Sequence, residues 1–406
     1  VRAAAALAGF AVLAIAATPA VSATPAVPAA QPVAAATPAT RLALSVHGNH
    51  LIDASGRPLQ LRGANISGLE NTAVQGWASG PEGYNNWGDA GLGAEPDWSL
   101  LRAWHMNAVR LPLNESSWLG DPCVDPGTGV QRNPDPGGNY RATVRRSVAD
   151  AVAAGLYVIL DLHWSAPGKF CATGQSQMAD QDNSLRFWAS VAGVFKDNPA
   201  VIFELFNEPF GLNRYPVASS DWAALRDGGL YDHFVHQDSV SGALASMPLI
   251  WQAAGMQTML DAVRATGATN VVLAGTMGWN GDLRPWSLYA PRDPIGQLAV
   301  AWHVYPWHKD TAKPAWSGMG DQFVAAANIT TQYPIVITET GLSAPLAQSL
   351  LPWADGQRSV SYLYWSWNPW GKPYDLIRDA AAQPTGFGAY YKAHLACVAA
   401  GTPHCP

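Results

Sequence analysis

The sequence is poor in charge. Asp, Glu, Lys and Arg make up 13% of its 406 residues. The 24 Lys and Arg are outnumbered by 30 Asp and Glu, which gives a net charge of −6. Without a basic excess, neither nucleic acid nor an anionic membrane is expected as a partner. Cysteine is scarce too, with Cys123, Cys171, Cys397 and Cys405, and their spacings fit no zinc pattern. No Gly-rich phosphate loop follows the first strand-like run, which counts against a nucleotide-binding doubly wound sheet. Glutamate is scarce as well: Glu70, Glu82, Glu95, Glu115, Glu204, Glu208 and Glu339 are all there are. So few make each one worth locating.

Apolar residues, in contrast, reach 48%, too many for a disordered chain and enough for a large core. Trp is several times commoner than usual, at 18 residues. Such an excess means core packing, flat binding surface, or both.

The start of the chain reads as a leader. Arg2 precedes an apolar stretch from Ala3 to Ala17, and Val21-Ser22-Ala23 is a small-x-small cleavage site. Residues 1–23 are therefore expected to be a secretory signal peptide, too short in its apolar part to span a membrane. Residues 24–40, dominated by Ala, Pro, Thr and Val, read as a semi-rigid linker. The remainder, 41–406, is expected to be one catalytic domain of a secreted monomer. In an exported chain an even cysteine count suggests disulfides, with three connectivities open. Cys123–Cys171 with Cys397–Cys405 is the simplest.

Beyond Arg41, Leu42–Val46 and His50–Asp53 flank a Gly48-Asn49 turn and predict a short hairpin. Eight strand-like runs follow: Leu59–Asn65, Asn107–Asn114, Leu156–Trp164, Val201–Glu208, Asn270–Thr276, Leu298–Tyr305, Pro334–Glu339 and Ser361–Asn368. Most are almost continuously apolar, as strands buried on both faces should be. Helical spacing appears at Asp97–His105, Tyr140–Ala154, Asn183–Lys196, Pro248–Thr266, Asp321–Thr331 and Gly388–Ala400. Gly155 and Gly267 stand where helix ends would fall. The segments after strands five and seven are less regular. This alternation predicts an α/β chain folded as a (β/α)8 TIM barrel, with a short N-terminal β-hairpin and long βα loops.

Active sites of such barrels form at the C-terminal ends of the strands. There the sequence places Asn65, Arg110, His163, Asn207, Glu208, Trp279, His303, Tyr305, Glu339 and Trp367. Two of the rare Glu, Glu208 and Glu339, end runs four and seven, which face each other across a barrel mouth. Paired carboxyls flanking a bond are what glycoside hydrolysis needs. Glu204, on the same strand face as Glu208, reads as structural and in need of a partner inside the barrel. A metal site built from Asp161, His163, His303 and Glu339 lacks a His-x-His or His-Glu-x-x-His spacing. Neither metal nor other cofactor is expected.

Asn207-Glu208-Pro209 after an apolar strand resembles the signature of glycoside hydrolase family 5, also called cellulase family A, of clan A. The resemblance runs in order through Leu61-Arg62-Gly63-Ala64-Asn65, Asn107-Ala108-Val109-Arg110 and Asp161-Leu162-His163-Trp164. It continues through His303-Val304-Tyr305, Ile337-Thr338-Glu339 and Tyr364-Trp365-Ser366-Trp367-Asn368. It implies that Glu208 is the acid/base and Glu339 the nucleophile of a retaining double displacement. It implies that Arg110 and Tyr305 keep Glu339 ionised, that Asn207 bonds the sugar 2-hydroxyl, and that His163 bonds another hydroxyl. His303 would orient the catalytic groups. Trp367 resembles the platform under the reacting sugar, with Trp365 the alternative. Trp164 and Trp279, which follow strand ends, are expected to stack further sugars, and Trp77, Trp87, Trp118, Trp307 and Trp370 to line the cleft. Trp98, Trp104, Trp188 and Trp251, at helical spacing, are expected in the core.

The implied substrate is a β-linked polysaccharide or oligosaccharide, and the implied activity an endo-β-1,4-glucanase. A β-mannanase or other β-glycanase is the alternative within the family, and a noncatalytic glycan-binding barrel the alternative outside it. Two segments are individual. Phe210–Met247 is a long aromatic connection after Glu208, expected to shape the leaving-group side. After Asn368-Pro369, Trp370-Gly371-Lys372 stands where endoglucanases of the family tend to carry a small acidic Ser-Gly-Asp stretch.

Overall fold

The computed structural model describes residues 42–405, apart from 81–82, 94, 212–218, 239–241, 307–319, 342–343 and 403. The expected signal peptide and linker lie outside the described residues, as does Trp307.

Eight parallel strands close into a barrel, in sequence order around the ring. They are Arg62–Asn65, Ala108–Asn114, Tyr157–Trp164, Val201–Glu204, Val272–Ala274, Leu298–Val304, Ile335–Thr340 and Val360–Tyr364, and are called strands one to eight below. Each matches one expected run, several in trimmed form. Strand four stops at Glu204, yet its chain still leans on both neighbours: Leu205 N donates to Leu273 O at 3.0 Å, and Asn207 N to Leu162 O at 3.0 Å. The backbone thus leaves the regular ladder just where its side chains must serve the mouth. The N-terminal hairpin, Leu44–His47 with His50–Asp53, forms as expected.

The helices surround the barrel. Tyr140–Ala153, Ser184–Phe195, Gly320–Ile329 and Gly386–Ala399 lie close to their expected ranges. Gly155 and Gly267 follow the ends of their helices with φ of 90° and 82°, a conformation that glycine adopts without steric cost. After strand seven the chain forms Ala344–Gly356, whose internal Pro352 had masked its pattern.

One expectation fails. Pro248–Thr266 is not one helix: Leu244–Ala253 is a strand, and the helix is Met256–Ala265. Leu244–Ala253 pairs with Gly229–Asp238 as a long antiparallel hairpin, and cross-strand bonding overrides local spacing there. That hairpin in turn pairs with Gly174–Ser176, from the loop after strand three, as a three-stranded accessory sheet. The individual connection after Glu208 is therefore partly ordered β-structure.

Both disulfides are those favoured by simplicity, Cys123–Cys171 and Cys397–Cys405. The first ties together the loops after strands two and three. Trp98, Trp104, Trp188 and Trp251 are buried as expected. Trp87 and Trp118 are buried too, so they pack the core under the loops instead of lining the cleft.

Candidate active site

Inside the barrel mouth lies a buried ionic network centred on Arg110. This fully buried side chain comes from strand two. Its Nε donates to Glu204 Oε2 at 2.6 Å, and its Nη1 donates to Glu339 Oε1 at 2.6 Å and to Asn65 Oδ1 at 2.9 Å. Its Nη2 donates to Asn207 Oδ1 at 2.7 Å and pairs with Asp161 at 3.0 Å. The planar fork of a guanidinium suits such a task, since five N–H groups leave in fixed directions. Burial alone would push a cation to shed its proton, but the charges of Asp161, Glu204 and Glu339 hold it on, and Arg110 is raised above the usual arginine range.

Glu204 and Asp161 form the floor. Glu204 Oε1 also accepts from Thr338 Oγ1 at 2.9 Å. Burial pushes both carboxyls up to about 7, against the pull of Arg110. The partner that Glu204 was expected to need is thus Arg110, with Thr338 beside it. Asp161 also bonds His163 Nδ1 at 2.6 Å. Burial, and then the Arg110 charge, push His163 down to about 4, so its imidazole is neutral. With its proton on Nδ1 toward Asp161, Nε2 is an acceptor, and it lies 3.4 Å from Asn207 Nδ2.

Above this floor stand Glu208 and Glu339. Tyr305 Oη donates to Glu339 Oε2 at 2.9 Å. His303 Nδ1 lies 2.8 Å from Glu208 Oε1 and 3.6 Å from Glu339 Oε2. One oxygen of each carboxylate and the His303 nitrogen all fall within 4.8 Å of one another. The two carboxyls are settled differently. Glu208 is pushed well above the usual carboxylate range by burial and then by the charge of Glu339. Glu339 is also pushed up by burial, but Arg110 and the Tyr305 hydroxyl pull it back. The higher proton affinity is therefore at Glu208, and the negative charge settles on Glu339.

Could this trio hold a metal instead? The donor set is suitable in kind, with two carboxylates and one imidazole. A divalent cation there would face the Arg110 guanidinium, already 2.6 Å from Glu339. The setting favours a cation-free carboxylate pair.

Arg110, His163, Asn207, Glu208, His303, Tyr305 and Glu339 are thus brought together as expected. The aromatic expectations need correction. Trp367 is 1% exposed, its ring packed edge-on against Trp104 at 4.7 Å. An indole with no open face cannot carry a sugar. Trp365, half-buried, lies parallel to His163 at 5.6 Å and presents its ring to the site. Trp164 is 7% exposed and offers little surface, whereas half-buried Trp279 stacks on Phe210 at 5.1 Å. Trp77, at 40% exposed, is the open indole on the loop after strand one.

The sequence reading missed Gln175. It bonds Asn207 and the Glu208 backbone, but it sits outside any barrel strand, so no strand-end pattern could have flagged it. It also left the loop residue Asn280 unnoticed. Asn280 donates to the Asn207 carbonyl, and its own carbonyl accepts from His303 N at 2.9 Å.

Comparison with known proteins agrees with this geometry. The family described as cellulase (glycosyl hydrolase family 5) matches residues 52–371. The major extracellular endoglucanase of Xanthomonas campestris is 27% identical over 289 residues, covering 66% of this chain and 52% of that protein. Endoglucanase CelA of Streptomyces lividans is 23% identical, covering 85% of this chain and 60% of that one. The chain thus spans little more than half the length of these relatives. Among solved structures, a β-glucanase of Saccharophagus degradans superposes with a TM-score of 0.58 at 20% identity, covering 89% of this chain and 94% of that one. The catalytic domain of a Thermobifida fusca endoglucanase gives 0.54 at 17%, covering 87% and 97%. These two share the fold. With a family match across most of its length and the Asn207-Glu208 and Glu339 motifs at the mouth of its barrel, the chain belongs to the cellulase family, glycosyl hydrolase family 5.

Proposed function

We propose that this protein is a secreted endo-β-1,4-glucanase that hydrolyses its substrate with retention of configuration. The observation that carries the reading is the Glu208–Glu339 pair. One oxygen of each lies within 4.8 Å of an oxygen of the other, a close approach that suits the ~5–5.5 Å carboxyl spacing of retaining glycosidases better than the ~6.5–9.5 Å with which inverting ones admit a water. The unequal setting of the two groups supports a division of labour.

In the first step a Glu339 carboxylate oxygen attacks the anomeric carbon. The bond to the leaving oxygen breaks, and the Glu208 proton moves to that oxygen. A covalent glycosyl-enzyme forms and the aglycone leaves as an alcohol. Arg110 and Tyr305 stabilise Glu339 as it waits and again as it is released. In the second step Glu208, now a carboxylate, takes a proton from water. The water oxygen attacks the anomeric carbon, and the bond to Glu339 breaks. Two inversions give net retention. Neutralisation of Glu339 in the first step removes the charge that raised Glu208, which lowers its proton affinity just when it must act as a base.

Asn207 is placed to bond the sugar 2-hydroxyl, a contact that strengthens in the transition state. His163 Nε2 is placed for a second hydroxyl. Trp365 supplies the platform at the point of cleavage, and Trp279 stacks the sugar beyond it on the Glu208 side. The glucan preference is supported by the endoglucanases that the chain resembles. Export is supported by the signal-like residues 1–23, and no helix among the described residues is long and apolar enough to cross a membrane.

The test is a product profile on soluble β-1,4-glucan, mixed-linkage glucan and β-mannan, with Glu208→Gln and Glu339→Gln as controls. Rapid chain shortening on the glucans, lost in both variants, is expected. Preference for mannan would replace the substrate assignment. Full activity in either variant would overturn the catalytic one.

A further inference from the structure

The accessory sheet reaches the catalytic centre through the side chain of Gln175. This residue is the middle of the Gly174–Ser176 strand, opposite Gln237 of the long hairpin, and is 6% exposed. Its Oε1 accepts from Asn207 Nδ2 at 2.8 Å. Its Nε2 donates to the backbone oxygen of Glu208 at 3.2 Å and to that of Ser176 at 3.0 Å.

The direction of every bond in this chain is forced. Arg110 can only donate, so Asn207 must turn Oδ1 toward it, at 2.7 Å. That leaves Asn207 Nδ2 facing Gln175. Backbone carbonyls can only accept, so Gln175 must turn Nε2 toward Glu208 and Ser176, which leaves Oε1 for Asn207. The result is a one-way relay from Arg110 through Asn207 and Gln175 to the main chain of the acid/base. One Asn207 amide hydrogen is spent on Gln175. The other lies toward His163 Nε2, at 3.4 Å, beyond the usual range of an N–H bond. A ligand hydroxyl between the two would give each a better partner.

We propose that Gln175 is a positioning residue for the reaction: it locks the Asn207 carboxamide so that the second N–H is aimed at the hydroxyl on the carbon next to the cleaved bond. It acts through Asn207 and does not itself touch the sugar. Without Gln175, Arg110 still holds the Asn207 oxygen, but the amide plane is free to tilt, and Nδ2 has lost the acceptor that fixes it. The hairpin after strand four clamps the Gln175 strand at three registered pairs, Gly174 with Asp238, Gln175 with Gln237 and Ser176 with His236. The hairpin after Glu208 thereby supports the residue beside Glu208.

The inference rests on the reading of Asn207 as the 2-hydroxyl contact, and the experiment separates the two. Initial rates are measured with an aryl β-cellobioside and with its analogue lacking the 2-hydroxyl on the reacting sugar, for the wild type, Asn207→Ala, Gln175→Met and Gln175→Glu. Gln175→Met keeps the bulk but removes both bonds. It should lower kcat/KM on the full substrate by roughly tenfold to a hundredfold, through kcat more than KM, and the 2-deoxy rate by no more than about threefold. Gln175→Glu keeps the acceptor for Asn207 and should keep the 2-hydroxyl preference, even where both rates fall. If the methionine variant does not fold, Gln175→Ala removes the same bonds and is read in the same way. Should Asn207→Ala erase the preference while Gln175→Met keeps it, the proposal is overturned and the Asn207 reading stands; loss of the preference in Gln175→Glu would overturn it as well. Should Asn207→Ala itself keep the preference, that reading fails and takes the proposal with it.

Discussion

Arg110 holds Glu339 and Glu204 with one guanidinium, its Nη1 and Nε each 2.6 Å from a carboxylate oxygen. Glu339 at the mouth and Glu204 inside the barrel therefore share one cation. Replacing Arg110 strands both, and Asp161 with them. Arg110→Met should cost about 3–5 kcal/mol of stability, the usual penalty for removing one partner of a buried ion pair. Arg110→Lys should not restore function, because an ammonium has three donors and no fork with which to reach Asn65, Glu339, Glu204, Asn207 and Asp161 together. Urea unfolding and kcat on a soluble β-glucan check both.

Glu204 links stability to pH. Its folded pKa is raised to about 7 by burial, above an unfolded value of roughly 4.3. Between those values the native state binds more protons at this group than the unfolded chain does, so the stability it contributes falls as pH rises. Glu204→Gln removes that slope. The wild type should lose stability relative to the variant between about pH 4.5 and 7, then run parallel to it above pH 8. Urea midpoints across that range measure the difference. A constant gap would mean that Glu204 is ionised throughout.

Trp365 and Trp367 should separate binding from folding. Trp365→Ala removes the half-buried ring beside His163 and should raise KM or lower kcat/KM by at least tenfold, with little change in Tm. Trp367→Ala opens a cavity against Trp104 and should cost about 3–5 kcal/mol of stability. Calorimetry and kinetics on the two variants check the assignment. The reverse pattern would restore Trp367 as the platform.

The two disulfides should contribute unequally. Cys123–Cys171 closes a loop with a sequence separation of 48, and Cys397–Cys405 one of 8. By loop-closure entropy the first stabilises by about 4 kcal/mol and the second by about 2.5. Cys123→Ser/Cys171→Ser should therefore lower Tm more than Cys397→Ser/Cys405→Ser. The first pair also holds a loop next to the site: Cys171 N donates to Val124 O, and Ala172 N to Ser116 Oγ.

The barrel was legible in the sequence because its strands are buried on both faces and read as continuous apolar runs, such as Leu156–Trp164. Glu208 and Glu339 were legible because they stand at the ends of such runs and fall within the motifs that resemble the family. The hairpin over Leu244–Ala253 was not, since Pro248, Ile250 and Trp251 also suit a helical spacing and only the pairing with Gly229–Asp238 decides between them. Trp367 misled for a related reason. The alternation of a strand places it on the same face as Trp365, but the regular strand ends at Tyr364 and the two rings part. Gln175 was hidden because its role depends on a contact between two loops far apart in sequence.

The central claim is that Glu339 attacks and Glu208 donates and then accepts a proton at one barrel mouth. The measurement that tests it most directly is proton NMR of the first reducing sugar released from a soluble β-1,4-glucan oligomer, recorded before mutarotation. The account predicts the β-anomer first, with the α-anomer growing in later; an α-anomer formed first would contradict it.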